Sequence, residues 1–261
     1  MGMFYVILVL EILLIIKALG DLGIGVAIGS CVLLVVVYLW AMRHKYGEGL
    51  IPLEREAMPW LYDGVAELAE KAGVPMPKVY LLDDYIPNAY SFGNTIVLSL
   101  GLLEVLDEGE VLAVAAHELG HIKNGDTRSF PIVTYGRFLM LVITGLLVIA
   151  GESLVKVAAV LLYLAYELTR TEFMKNREFK ADETALRLLE VPMTLKEALE
   201  ELKYYEDLRT NVKLSAVPSI EPSIERDRKR ITIVETHPSY EERILRITVE
   251  INSLMNIKKV Q

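Results

Sequence analysis

Cysteine is almost absent: Cys31 is the only one in 261 residues. No intrachain disulfide can form, and a structural zinc site closed by cysteines is hard to assemble. Cys31 lies in an apolar run, reads as buried or lipid-facing filler, and fits a reducing compartment. Histidine is scarce too, with four in the chain. Basic charge is in deficit: 27 Lys and Arg against 35 Asp and Glu leave 27 − 35 = −8, which points away from a general nucleic-acid binder. No basic residue precedes Lys17, so the N-terminus lacks the basic start of a cleaved signal peptide, and a second apolar run follows too closely and is too long for one. Apolar residues are in excess. They make up 53% of the chain, with mean hydropathy +0.37, above the roughly 45–50% of soluble domains. That argues against a disordered chain and against a plain soluble enzyme.

The excess is concentrated. Leu22 to Trp40 is nineteen residues without a charge. As a helix it is about 28 Å long, close to the hydrocarbon thickness of a bilayer. Met3 to Ile16 is apolar apart from Glu11, and Gly20-Asp21 suits a turn between the two runs. Together they read as a transmembrane hairpin over residues 1–42. A second pair, Pro131 to Gly151 and Ser153 to Thr169, carries Arg137, Lys156 and Glu167. It is expected either to form a second transmembrane hairpin (131–169) or to be two buried or peripheral helices, with Arg137 and Lys156 snorkelling from segment ends. Arg43, Lys45, Arg55, Lys123, Arg128, Arg170, Lys175, Arg177 and Lys180 flank the polar segments, against Lys17 and Lys156 at the opposite ends. Positive charge stays inside, so both polar segments are expected on the cytoplasmic side. They can form one domain, split into 50–130 and 170–261.

Within the polar segments, Trp60 to Ala72 has helical spacing and ends at Gly73 and Pro75. Lys78 to Leu82 reads as a strand, and Ala89–Phe92 with Thr95–Ser99 reads as a hairpin about Gly93-Asn94. Asp107 and Glu110 make a capping box for a helix running to about Asn124, where Gly125 stops it. A helix is expected from the fourth apolar run to about Leu189. Thr194 with Glu197 would cap another that ends near Arg209, and Ser239 with Glu242 would open the last. Val212 to Arg230, with its repeated Pro-Ser-Ile-Glu and the basic Arg226–Arg230 stretch, reads as a surface loop. Its basic end could meet anionic lipid headgroups.

His117-Glu118-Leu119-Gly120-His121 is an H-E-x-x-H motif and uses two of the four histidines. On a helix, residues i and i+4 share a face, so both imidazoles can bind one zinc ion, with Glu118 beside the open position as general base for peptide hydrolysis. A catalytic zinc needs a third protein ligand. No third histidine stands at the metzincin spacing, where Asn124, Gly125 and Asp126 are found instead. A carboxylate from a second helix is therefore expected. Glu178 is the candidate, with Asp182 one turn on to orient a ligand histidine, and Glu172 is the alternative. A merely charged helix face is the plainer reading of the same spacing.

The order Pro87-Asn88-Ala89-Tyr90, Gly101-Leu102-Leu103, the H-E-L-G-H helix, a hydrophobic hairpin, Asn176-Arg177-Glu178-Phe179-Lys180-Ala181-Asp182 and His237-Pro238-Ser239 resembles the HtpX-like membrane zinc metalloproteases, relatives of the CAAX prenyl protease. The resemblance covers essentially the whole chain. It implies one zinc per chain on His117, His121 and Glu178, Glu118 as general base, and Asp182 behind the ligands. It also implies quality control of membrane proteins by endoproteolysis at a cytoplasmic site. Tyr90 stands where the family more often has phenylalanine, and the basic stretch at Arg226–Arg230 has no match. The expected fold is mainly α with a small β-hairpin or sheet: an integral, multi-pass cell-membrane protein with a gluzincin-like zinc metallopeptidase domain.

Two placements go further. Asn88, Ala89 and Tyr90 would begin an edge strand on which an extended substrate lies, with the Asn88 side chain and backbone holding it, or else belong to a structural hairpin. His237 would stabilise the oxyanion, or else form a His-Pro turn; Tyr240 is the runner-up. Arg243 would pair with Asp182 or another acid. The expected partners are protein or peptide substrates, above all membrane proteins, and the lipid bilayer, with no nucleic acid. The competing functions are a processing protease for prenylated or lipid-linked peptides, and a non-catalytic zinc-binding membrane scaffold.

Overall fold

The structure, a computed structural model, describes residues 2–43, 49–215 and 238–258; of residues 2, 41–43, 210–215 and 254–258 it describes the backbone alone. In chain order the elements are α1 (Gly2–Leu19), α2 (Asp21–Arg43), β1 (Leu50–Pro52), α3 (Pro59–Ala72), β2 (Lys78–Leu82), β3 (Ala89–Phe92), β4 (Thr95–Ser99), α4 (Leu100–Val105), α5 (Glu108–Lys123), α6 (Asp126–Ala150), α7 (Ser153–Leu188), α8 (Met193–Ser215) and α9 (Tyr240–Lys258). The fold is mostly helical with one small mixed sheet. The chain divides into two compact units, residues 1–48 with 125–177 and residues 49–124 with 178–261. His237 and residues 216–230 of the expected loop lie outside the described residues.

The first unit holds the apolar helices. Two of them, over Asp21–Trp40 and Asp126–Ala150, are long and apolar enough to cross a membrane. Their outward faces carry large apolar side chains such as Val36, Trp40, Phe138 and Ile149, while Phe4, Val133, Met140 and Tyr166 pack inside. The charges within the apolar runs turn to internal partners. Glu11 is fully buried and accepts from the Thr144 hydroxyl at 2.5 Å. Arg137 does not simply snorkel: its Nε lies 2.9 Å from Glu167 Oε1, and Glu167 also takes Arg170 at 3.0 Å. A charge in an apolar bundle is tolerable when paired in this way. Asp126, buried in the first turn of α6, meets Arg177 of α7 at 2.8 Å.

The second unit is built on a sheet of order β1-β2-β4-β3, in which β2 and β4 are parallel and the other pairs antiparallel. The β3–β4 hairpin turns through Gly93-Asn94 with Phe92 opposite Thr95, and Gly93 takes φ +53°, which glycine adopts without strain. β4, between β2 and β3, is buried along its whole length, and the strand order leaves β1 and β3 at the two edges. α3 ends at Gly73 (φ +69°), whose N–H reaches Glu70 C=O at 3.0 Å while Val74 N–H reaches Ala69 C=O. α5 opens with the Asp107–Glu110 capping box: Glu110 N–H to Asp107 Oδ1 at 2.8 Å and Asp107 N–H to Glu110 Oε2 at 2.9 Å.

Three features depart from sequence expectation. α4 and β1 are additional elements; Ser99 caps α4 by accepting from Leu102 N–H at 3.2 Å. Thr194 lies inside α8 rather than capping it, because its hydroxyl donates back to Val191 C=O at 2.7 Å. α8 runs on to Ser215, past the expected end near Arg209, and so takes in the start of the expected loop.

Candidate metal centre

α5 is the central helix of its unit. Every residue from Ala113 to His121 is buried, polar ones included. A surface helix would bury one stripe; this one is packed all round by α3, α8, β3 and the end of α7. Burying two imidazoles is costly unless they find partners, and the partners of His117 and His121 come from α7. Glu178 and Asp182, one turn apart, are both buried.

The approach of the two helices depends on glycine. A Cβ on Gly120 would stand 2.8 Å from Ala181 O and 3.0 Å from Ala181 Cα. Gly120 therefore lets α7 close onto α5 beside His121. Farther along, Asn124 Nδ2 donates to Thr184 Oγ1 at 3.4 Å. Nothing in a single sequence says which face of the motif helix meets a backbone, so Gly120 carries no signal there.

The nitrogen and oxygen atoms of His117, His121 and Glu178 lie within 4.8 Å of one another. Glu178 Oε2 is 3.5 Å from His117 Nε2, and Glu178 Oε1 is 3.7 Å from His121 Nε2. Charge-assisted hydrogen bonds close to about 2.7–2.9 Å. Ligand atoms around one tetrahedral zinc, each about 2.1 Å from it, stand about 3.4 Å apart. The observed spacing fits the second case, and the nitrogen–nitrogen–oxygen donor set fits zinc. The rings of His117 and His121 are 4.7 Å apart at 86°.

Behind the ligands, His117 Nδ1 lies 2.8 Å from Asp182 Oδ1. A proton on Nδ1, assigned from that acceptor, leaves Nε2, which faces Glu178, as the nitrogen that would ligate a metal once its own proton is lost. Arg243 of α9 grips the same carboxylate twice, Nε to Oδ2 at 2.9 Å and Nη2 to Oδ1 at 2.5 Å. Of the two pairings expected for Arg243, this is the one with Asp182. Burial would raise the Asp182 carboxyl, but Arg243 and His117 outweigh it and hold it below its ordinary value. Burial and Arg243 push the His117 imidazole down, and Asp182 with Glu178 prevails, raising it to about 9. Glu118 is buried, and among the described residues its carboxylate makes no hydrogen bond or ion pair. Glu172 is exposed and outside the cluster. Tyr240 is partly buried against the core, and burial raises its phenol.

Asn88 leads into β3, but its backbone is engaged: its N–H donates to Ser99 Oγ at 2.8 Å and its C=O accepts from Ser99 N–H at 2.9 Å. That corrects the expectation that the Asn88 backbone holds substrate; only its side chain is left for that. By the alternation of an antiparallel pair, Ala89 and Ser91 turn their polar backbone groups to the free edge, and Tyr90 turns its own to β4.

Residues 56–251 match peptidase family M48. A Protease HtpX homolog of Dictyoglomus turgidum is 30% identical over 263 residues, covering 88% of this chain and 82% of its own. The Protease HtpX homolog of Aquifex aeolicus is 30% identical over 226 residues, covering 77% and 74%. The crystal structure of S. mikatae Ste24p shares the fold with TM-score 0.58 at 19% identity, over 92% of this chain, which spans 61% of that longer one. With a buried His-His-Glu donor set built on an H-E-x-x-H helix, and two helices fit to cross a membrane, the chain belongs to peptidase family M48 and is a metalloprotease of peptide or protein substrates.

Proposed function

We propose that the protein is a zinc endopeptidase of the cell membrane that cleaves exposed or unfolded segments of membrane proteins, in quality control, from the cytoplasmic side. The observation that carries the metal assignment is the buried trio His117, His121 and Glu178, spaced at 3.5 and 3.7 Å about the carboxylate. These three residues would hold one zinc ion, which supplies Lewis-acid polarisation of the scissile carbonyl and a water whose pKa falls to about 7. Glu118 takes the water's proton as the carbon–oxygen bond forms, then delivers it to the amine nitrogen as the carbon–nitrogen bond breaks. Asp182, itself fixed by Arg243, keeps His117 in the tautomer that presents Nε2. Ala89 and Ser91 on the β3 edge pair with an extended substrate, and the Asn88 side chain adds a polar contact. His237 is the proposed oxyanion donor. Two things support the membrane setting: the apolar spans of α2 and α6, and α5 ending at Lys123, three residues before α6 begins. The basic flanks at Arg43, Lys123, Arg128, Arg170 and Lys175 support the cytoplasmic orientation.

The metal assignment is tested on protein purified in detergent, measuring zinc content and casein cleavage. Glu178→Ala is expected to lose both, and Glu172→Ala to keep both. Full zinc and activity in Glu178→Ala would overturn the ligand set.

A further inference from the structure

The loop between β2 and β3 holds two large apolar side chains in solvent, Tyr85 at 67% and Ile86 at 45% exposure. The backbone beneath them is tied down on both sides. Asp84 Oδ1 accepts from Ile86 N–H at 2.9 Å, and Asp84 C=O accepts from Gly101 N–H at 2.9 Å. The Ser99 hydroxyl donates to Ile86 C=O at 2.9 Å. A Cβ on Gly101 would stand 2.2 Å from Tyr85 O, so glycine lets the loop seat on the start of α4. Apolar side chains on a backbone already ordered lose little further freedom when a partner covers them. The loop then runs through Pro87 and Asn88 into β3, the sheet edge that packs against α5. Tyr85 is four residues before Ala89, at most about 13 Å along an extended chain. A polypeptide lying on the β3 edge would pass this tip within a few residues. Asp83 and Asp84 beside it oppose an anionic lipid surface, and continuity with β3 favours a peptide.

We propose that Tyr85 and Ile86 form an apolar subsite which selects a large apolar side chain at one position, several residues to one side of the bond that is cut, in an extended peptide on β3. This rests on the reading of β3 as the substrate edge and deepens it. The test uses the full-length protein with zinc in detergent micelles and peptides that share one cleavage sequence, with Leu or Ser at each position three to five residues on either side. Wild-type protein is expected to prefer Leu over Ser at one of these positions by about tenfold in kcat/KM. In the double variant Tyr85→Ser/Ile86→Ser the ratio falls to about one, through KM, while the single variant Tyr85→Phe keeps the wild-type ratio. Both peptides meet the same preparation, so loss of folded protein cancels in the ratio. The same ratio is read without turnover from the Kd of fluorescein-labelled peptides on the Glu118→Gln background. A flat wild-type profile, or a preference that survives the double variant, overturns the subsite. So does an effect confined to substrates in phosphatidylcholine–phosphatidylglycerol vesicles, which would assign the tip to lipid. Ser91→Pro, which removes an edge N–H, is expected to lower kcat/KM for both peptides alike; no change for either overturns the β3 reading and the subsite with it.

Discussion

Gly120→Ala adds one methyl group where α7 crosses α5. On an exposed helix that change stabilises by about 1 kcal/mol. Here the new Cβ would meet Ala181 O at 2.8 Å and Ala181 Cα at 3.0 Å. Both are backbone atoms, so no rotamer can relieve the contact, and overpacking of this kind costs about 1–3 kcal/mol. The expected net effect is a loss of about 1 kcal/mol. Relief requires α7 to move outward, and Glu178 moves with it. The Glu178 oxygens now stand 3.5 and 3.7 Å from the two imidazole nitrogens; a shift of about 0.5 Å spoils a ligand geometry that tolerates about 0.2 Å. Zinc affinity is expected to fall at least tenfold. The assays are thermal unfolding with zinc and with a chelator, and zinc Kd by competition with a chromogenic chelator. A Gly120→Ala protein that melts higher than wild type and binds zinc equally well would refute the argument that this close approach sets the ligand spacing.

Two further outcomes follow from the residues behind the ligands. Asp182→Asn leaves the buried Arg243 guanidinium facing a neutral amide, so urea unfolding should show a loss of about 3 kcal/mol and chelator competition a 10- to 100-fold weaker zinc site. The second concerns pH. The His117 imidazole, raised to about 9, holds a proton at neutral pH that must leave before Nε2 can ligate. Zinc affinity should therefore rise with pH, about tenfold per unit for the one proton displaced below that value; a Kd constant between pH 6 and 8 would show that Asp182 and Glu178 do not raise it.

Legibility in the sequence followed the range of the interactions. The Asp107–Glu110 box, the Gly93-Asn94 hairpin and the Gly73 terminus are local, each fixed by residues within a few positions, and the structure has them at the positions the sequence indicates. The H-E-x-x-H pair is equally local. Glu178 could be named because its partner spacing to Asp182 is helical, but the choice over Glu172 turns on which face of α7 meets α5, and Gly120 makes that contact across 61 residues of chain. Arg243 was legible only as one of two pairings for the same reason. β1 and α4 escaped because three and six residues carry no periodicity to read. Thr194 looked like a cap, yet a threonine hydroxyl can bond back to its own turn as well as forward. The Asn88 backbone looked available until Ser99, eleven residues on, proved to hold both its polar groups.

In the proposed mechanism Glu118 moves the proton at a zinc ion that His117, His121 and Glu178 would hold. Glu118→Gln keeps the shape of the side chain and removes its basicity, and Glu118 stands outside the His117, His121 and Glu178 group. Zinc content and casein cleavage measured on the same detergent preparation test this directly. One zinc per chain is expected in both wild type and variant, with cleavage lost by a factor of at least 100 in the variant; equal cleavage by the two proteins would contradict the proposed role of Glu118.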